Sequence, residues 1–425
     1  MHRRRFLEAC VAAPLIAARA RAQARETVEK TRQAGLAVLK PSQRDLDRGL
    51  KLHAESLVFE SYGFAPRAAP DGDFLRARQK EGASALEMQD WQEEMSMTRW
   101  ATDVAERAEF LEAWDASGVS CIFQNAGEES SDAMRLIKRL ARFTYSADVM
   151  REHVVRAIDP SQVEQAWKDK KRSLYYSGNG VPLAQQWVNV EEELRYIRVF
   201  FQLGIRMMHL TYNRRNMIGD GCGEPNDAGL SDFGRAAVAE MNRVGVIADC
   251  AHSGWKTSLD AAKRSTRPMV ASHSGALTLN HHIRFKPDEV IRAIADTGGY
   301  IGICCISGFL GHGAGHIGHF LDHIEYVKKK FGADHVAIGT DIAYTSSRFE
   351  AERRKLERMP QRMRWEALWP AGSSGILPQH PSMAWTNWPL FTVGMVQRGF
   401  SDDEIRKVLG GNVLRVARAN MPAIP

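Results

Sequence analysis

Two stretches decide how this chain is read: GVIADCAHSG (Gly245–Gly254) and PMVASHSGA (Pro268–Ala276). The first is an apolar run that breaks at Asp249 and reaches His252 three residues later; the second runs into His273, 21 residues beyond His252. Short apolar runs bounded by glycine and serine read as buried strands of a parallel sheet. The segment between them, KTSLDAAKRS (256–265), has the spacing of an amphipathic helix. The pair is therefore a β/α repeat with a histidine just past the end of each strand.

Working outward, the same alternation continues in both directions. Strands are expected at 57–59, 119–123, 174–176, 206–210, 246–249, 269–271, 300–304 and 335–338, with helical patterns such as FGRAAVAEMNRV (233–244), DEVIRAIADTG (288–298) and HFLDHIEYVKKKFG (319–332) between them. Eight strands alternating with helices imply an α/β protein, and closure into a (β/α)8 TIM-like barrel is the simplest architecture for that count. A single large domain over 53–425 accommodates it, preceded by a polar helical lead-in over 23–52. Two segments, 63–100 and 345–388, break the rhythm after the first and last strands and read as insertions over the C-terminal face, where barrel active sites are built.

Residues 1–22, MHRRRFLEACVAAPLIAARARA, carry arginines 3–5, then Phe6-Leu7, an alanine-rich stretch and a small-x-small exit. This resembles a twin-arginine export signal and implies a periplasmic or otherwise exported protein. The segment holds five arginines and one glutamate, a net of +4, so the formal charge of +6 falls to +2 without it. That balance, with no basic run interleaved with aromatics, argues against nucleic acid as a partner. No run approaches the ~18 continuous apolar residues of a membrane span. Beyond Cys10, the five cysteines at irregular spacing form neither a disulfide framework nor a Cys-x-x-Cys motif.

In a barrel, a polar residue one to three positions past a strand end points into the mouth. Asp249 and His252 follow the fifth strand, His273 the sixth and Asp341 the eighth. Neutral imidazole is a zinc ligand, and a nearby carboxylate orients a ligand, binds metal or moves a proton. The histidines of GHGAGHIGHFLDHIEY (His312, His316, His319 and His323) fall before the eighth strand, away from this group. NRRNMIGDGCGEPNDAG (213–229) is a mouth loop whose Arg214, Arg215, Asp220 and Glu224 suit either substrate contact or a salt-bridge network.

LGIRMMHLTYNRRN, AGLSDFGRAAVAEMNRVGVIADCAHSG, ASHSGA, HHIRFKPDEVIRAIADTGGYIGI, HVAIGTD and GGNVLRVA together resemble the renal, or membrane, dipeptidase family of zinc metallopeptidases, from about Leu57 to Ala417. The resemblance implies a (β/α)8 barrel with a two-zinc site at its C-terminal mouth, a dipeptide or similar small-amide substrate, and a homodimer. Carried over position by position, it makes His252 and His273 ligands of the second zinc. It makes Arg284 the grip on the substrate carboxylate, and Asp341 the carboxylate concerned with proton transfer and amino-group binding.

The remaining positions depart from that pattern. Tyr62 and Phe64 stand where the family places the His-x-Asp pair of the first zinc, Ser177 or Asn179 stands nearest the bridging glutamate, and Tyr212 replaces a substrate-contacting histidine. Two dications about 3.5–4 Å apart need carboxylates between them, and these replacements remove them. The expectation is a single zinc on His252 and His273, with Asp341 as catalytic base and Arg284 and Tyr212 against substrate. The alternative is a metal-free binding protein or tailoring enzyme on the same barrel.

Overall fold

The computed structural model describes residues 3–127, 131–311, 313–359, 364–371 and 378–421, and the strand–helix alternation is realised in it as a parallel barrel. The strands are β1 (Phe59–Gly63), β2 (Cys121–Asn125), β3 (Val154–Ala157), β4 (Arg172–Gly178), β5 (Ile205–His209), β6 (Ile247–Asp249), β7 (Val270–Ser274), β8 (Tyr300–Ile303) and β9 (Val336–Ile338). Eight of them follow the order β1-β2-β4-β5-β6-β7-β8-β9, every pair parallel. All eight expected strands are present.

The ninth, β3, was not anticipated. It pairs with the first half of β4, Val154 to Ala157 against Arg172 to Tyr175, while β5 takes the second half of the same edge from Tyr176 onward. VVRA is too short and too weakly patterned to separate from a loop by periodicity. A second correction concerns β1, expected at 57–59 but found at 59–63. Its polar residues Glu60 and Ser61 are fully buried, so apolar content stops before the strand does.

Among the described residues no ladder joins β1 to β9. The seam is held instead by Glu60, whose Oε1 accepts from the Thr340 N–H (3.2 Å) and hydroxyl and whose Oε2 accepts from Trp385 Nε1 (2.8 Å), and by the Asp341 N–H on the Tyr62 carbonyl at 3.3 Å. Burial pushes the Glu60 carboxyl up to about 8, against the lowering effect of those hydrogen bonds, so it is protonated at neutral pH. Phe59, Phe123, Tyr175, Met207, Ile247 and Val270 are among the residues filling the barrel interior. Helix Asn412–Asn420 closes the N-terminal end, with Asn420 Nδ2 on the Pro268 carbonyl and Arg415 on that of Gly298.

Outside the barrel, helix Arg3–Leu39 runs unbroken through Ala22. From Ala20 onward one face is buried, and Arg25 pairs with Glu112 at 2.7 Å on helix Val104–Ser117. Gln43–Ala54 completes the lead-in, started by the Ser42 side chain accepting from the Asp45 N–H. The insertion after β1 contains helices Gly72–Lys80 and Ala85–Thr102. It is zipped to the insertion after β9, since Arg67 N–H donates to Tyr344 O and Ser346 N–H to Arg67 O. No described helix is long and apolar enough to cross a membrane.

Candidate active site at the barrel mouth

Strands β5, β6 and β7 deliver four donor-bearing side chains to one place. His209 is the last residue of β5, Asp249 the last of β6, His252 lies three beyond it, and His273 sits inside β7 rather than past its end. All four are buried. The ε-nitrogens of His252 and His273 are 3.1 Å apart. His209, Asp249 and His273 each offer a ligand atom, all within 4.8 Å of one another.

The hydrogen bonds around this group set the ring tautomers. Asn213 Nδ2 donates to the Ala367 carbonyl at 3.3 Å, which turns Oδ1 toward His252. His252 Nδ1 therefore donates to Asn213 Oδ1 (2.9 Å), leaving a lone pair on Nε2. His273 Nδ1 meets the Ser272 hydroxyl at 2.8 Å, which can accept or donate. With Ser272 accepting, both ε lone pairs turn to one point; with Ser272 donating, His273 Nε2–H bonds to His252 Nε2. Burial, then the positive Arg284, hold both rings well below the usual histidine range, so neither is cationic at neutral pH.

Asp249 Oδ1 accepts the N–H groups of Ala251 (2.9 Å) and Ser272 (3.0 Å). Its Oδ2 lies 2.8 Å from His209 Nε2 as a buried pair, and His209 Nδ1 is buried without a hydrogen bond. Burial opposes the Asp249 charge, while His209 and the Ser272 N–H hold the carboxyl below its ordinary value.

The His252–His273 pair has the spacing for one zinc-like ion, while the three donors that converge within 4.8 Å are His209, Asp249 and His273 without His252. Zn–N bonds of about 2.0–2.1 Å at a tetrahedral angle put two ligand nitrogens about 3.3 Å apart, close to the His252–His273 separation. The Nδ1 proton of His252 on an amide oxygen is the support that metal-bound imidazole ordinarily receives. Beside the pair, His209 Nδ1 is buried and unanswered and Asp249 Oδ2 meets His209 Nε2.

The opposite wall carries rings and amides. Tyr62 stacks on His273 at 3.9 Å between centroids and donates its hydroxyl to Asn179 Oδ1. Phe64 meets Tyr62 edge-on at 5.9 Å. The Ser177 hydroxyl turns to the Gln124 carbonyl. Tyr212 stacks on His252 at 3.7 Å, so the two imidazoles are each backed by a tyrosine. Neither Tyr62, Phe64, Ser177 nor Asn179 supplies a carboxylate.

Arg284 is 2% exposed, donates Nη2 to the His273 carbonyl at 3.1 Å, and has its Nε buried without an acceptor. Asp341 follows β9 with φ of +59°, a left-handed conformation that concentrates at functional sites. The sequence reading did not single out His209. Its signal was a polar side chain closing the apolar pair Met207-Met208, on the strand itself rather than past it.

The other candidates resolve as structural. Arg215 pairs with Asp220, and Arg214 donates to the Leu368 and Gly223 carbonyls, so the 213–229 loop is a bracing network. His316 stacks on His319, and the fully buried His323 accepts the Ala276 N–H; His312 lies outside the described residues. Trp385 and Trp388 are core, and the five cysteines of the described side chains are free thiols.

A parallel barrel whose C-terminal mouth gathers three histidines and an aspartate defines a metallohydrolase-like class. The chain matches the model of the membrane dipeptidase family (peptidase family M19) over residues 82–352 and belongs to that family. The match begins after β1, the strand carrying Tyr62. Dipeptidase tcpJ of Claviceps purpurea (strain 20.1) is 29% identical over 226 residues, 52% of this chain and 46% of that protein, so the similarity spans about half the relative's length. Among solved structures, an amidohydrolase from Pseudomonas aeruginosa superposes with a TM-score of 0.62 at 25% identity, covering 88% of this chain and 98% of its own. PvdM of Pseudomonas aeruginosa gives 0.63 at 17% identity, covering 89% and 99%. A metallopeptidase from Rhodobacter sphaeroides, solved with a phosphinate mimic of the dipeptide L-Ala-D-Ala, gives 0.60 at 17% identity, covering 86% and 99%.

Proposed function

We propose that the protein is an exported hydrolase that cleaves a dipeptide or similar small amide at a single zinc. The observation that carries this reading is the pair of neutral imidazoles with ε-nitrogens 3.1 Å apart. His252 and His273 would hold the ion, with Asp249 and His209 beside them as further donors. When bound, zinc polarises a carbonyl oxygen and makes water nucleophilic near neutral pH.

The chain's own groups supply the rest. Arg284, buried with an unanswered Nε–H, would anchor the substrate carboxylate, where low local polarity strengthens a charge-assisted bond. Tyr212 forms a ring wall beside His252 and would bound the substrate's position. Asp341, placed by β9 at the seam with β1, would take the proton from the attacking water and return it to the leaving amine. Export rests on the arginine-rich start, and a homodimer on the family. The metal-free binding alternative is not favoured by the membership in a peptidase family.

The test is turnover of a panel of L,L- and L,D-dipeptides by protein purified with zinc. Hydrolysis that disappears in His252→Ala, with the thermal melt retained, supports the reading. Zinc-replete protein that cleaves none of the panel contradicts it.

A further inference from the structure

Beside the mouth lies a second concavity that the proposed hydrolysis does not use. It has a volume of about 480 Å3, within the range of small-molecule sites, and is enclosed by helix Ala85–Thr102, helix Ala133–Val149 and the segment reaching Leu356. Its floor is Phe64 and Gln124, at the C-terminal ends of β1 and β2. Phe64 is thus shared, lining this cavity and touching Tyr62, which in turn stacks on His273.

The lining is strongly one-signed. Among the described residues of the lining, the guanidiniums of Arg67, Arg135, Arg139 and Arg353 stand with one carboxylate, Glu93. Glu93 is already engaged by Arg135 and, at 3.5 Å, by Arg142 from outside the lining. Arg139 makes no hydrogen bond or ion pair among the described residues, and its Nε is buried without an acceptor. Arg353 has only a solvent-exposed pairing with Glu350 at 3.7 Å. Between these charges stand the half-buried Phe64, Phe349 and Leu356, over the buried Trp100, Phe143 and Met97, apolar surface that a simple inorganic anion would leave uncovered.

We propose that this cavity binds an organic anion, a carboxylate carried on an aromatic or aliphatic body. Arg139 and Arg353 answer the charge, and Phe64, Phe349 and Leu356 cover the body. The inference stands on the cavity itself and not on hydrolysis at the mouth.

The test is calorimetric titration of the full chain with 4-phenylbutyrate and with its neutral counterpart 4-phenylbutan-1-ol. The carboxylate should bind at least about tenfold more tightly, the worth of one charge-assisted bond. Arg139→Gln, or Arg353→Gln at a side chain 68% exposed and so safe for folding, should remove that preference. His252→Ala should keep it. A preference below tenfold, one that survives both arginine substitutions, or one lost in His252→Ala overturns the proposal.

Discussion

The two sides of the barrel mouth have been built from different chemistry. The β5–β7 side presents His209, Asp249, His252 and His273, ligand-type atoms that largely meet one another, with His209 Nδ1 buried and unanswered. The β1–β4 side presents Tyr62, Phe64, Ser177 and Asn179, whose polar atoms are turned on one another or on backbone, as in the Tyr62–Asn179 and Ser177–Gln124 bonds. Unsatisfied buried donors imply a missing partner, whereas satisfied ones imply a finished wall. The contrast sets a cluster of imidazole and carboxylate groups on one side against rings and amides without a carboxylate on the other.

The largest expected effect breaks the first side. His273→Ala removes a donor from the closest nitrogen pair, and dipeptide turnover should fall to background together with zinc content, measured on the same preparation. Retained turnover would mean that the imidazole pair is not the reacting centre.

Next comes the seam of the second side. Glu60 has a folded-state value of about 8 against an ordinary 4.5, so the folded chain keeps a proton that the unfolded chain loses. Its stabilising contribution is whole below about pH 4.5 and is lost as pH rises toward 8. Glu60→Gln, which has no proton to lose, should flatten that fall by on the order of 3 kcal/mol in denaturant titrations at pH 5 and 8. An unchanged slope would place the ionised carboxylate in the fold.

Smaller effects sharpen the same contrast. Asn213→Ala leaves the His252 Nδ1 proton without its acceptor and should weaken zinc by about 10–100-fold in chelator competition. Tyr62→Phe loses one hydrogen bond in the finished wall and should cost about 1 kcal/mol in stability with zinc content unchanged. If Tyr62→Phe lowered zinc as far as Asn213→Ala does, the two sides would not be distinct.

Much of this was legible in the sequence because barrel strands end in recognisable ways. GVIADCAHSG and PMVASHSGA announced two adjacent strands and the histidines that meet at 3.1 Å. Tyr62 and Phe64, rings that offer no carboxylate, could be read directly from the sequence of β1 and its exit. His209 was hidden, because a histidine closing an apolar strand looks like core until the neighbouring strand's Asp249 is placed beside it. β3 was hidden because its pairing depends on β4 offering half an edge. The basic cavity was not legible at all, since Phe64, Arg139 and Arg353 come from three separated segments.

The claim on which the rest depends is a single metal on the histidine side. Elemental analysis of the purified chain after zinc reconstitution and removal of loosely bound ions tests it directly. The account predicts about one zinc per chain, lost in His273→Ala. Two zincs per chain, or none, would contradict it.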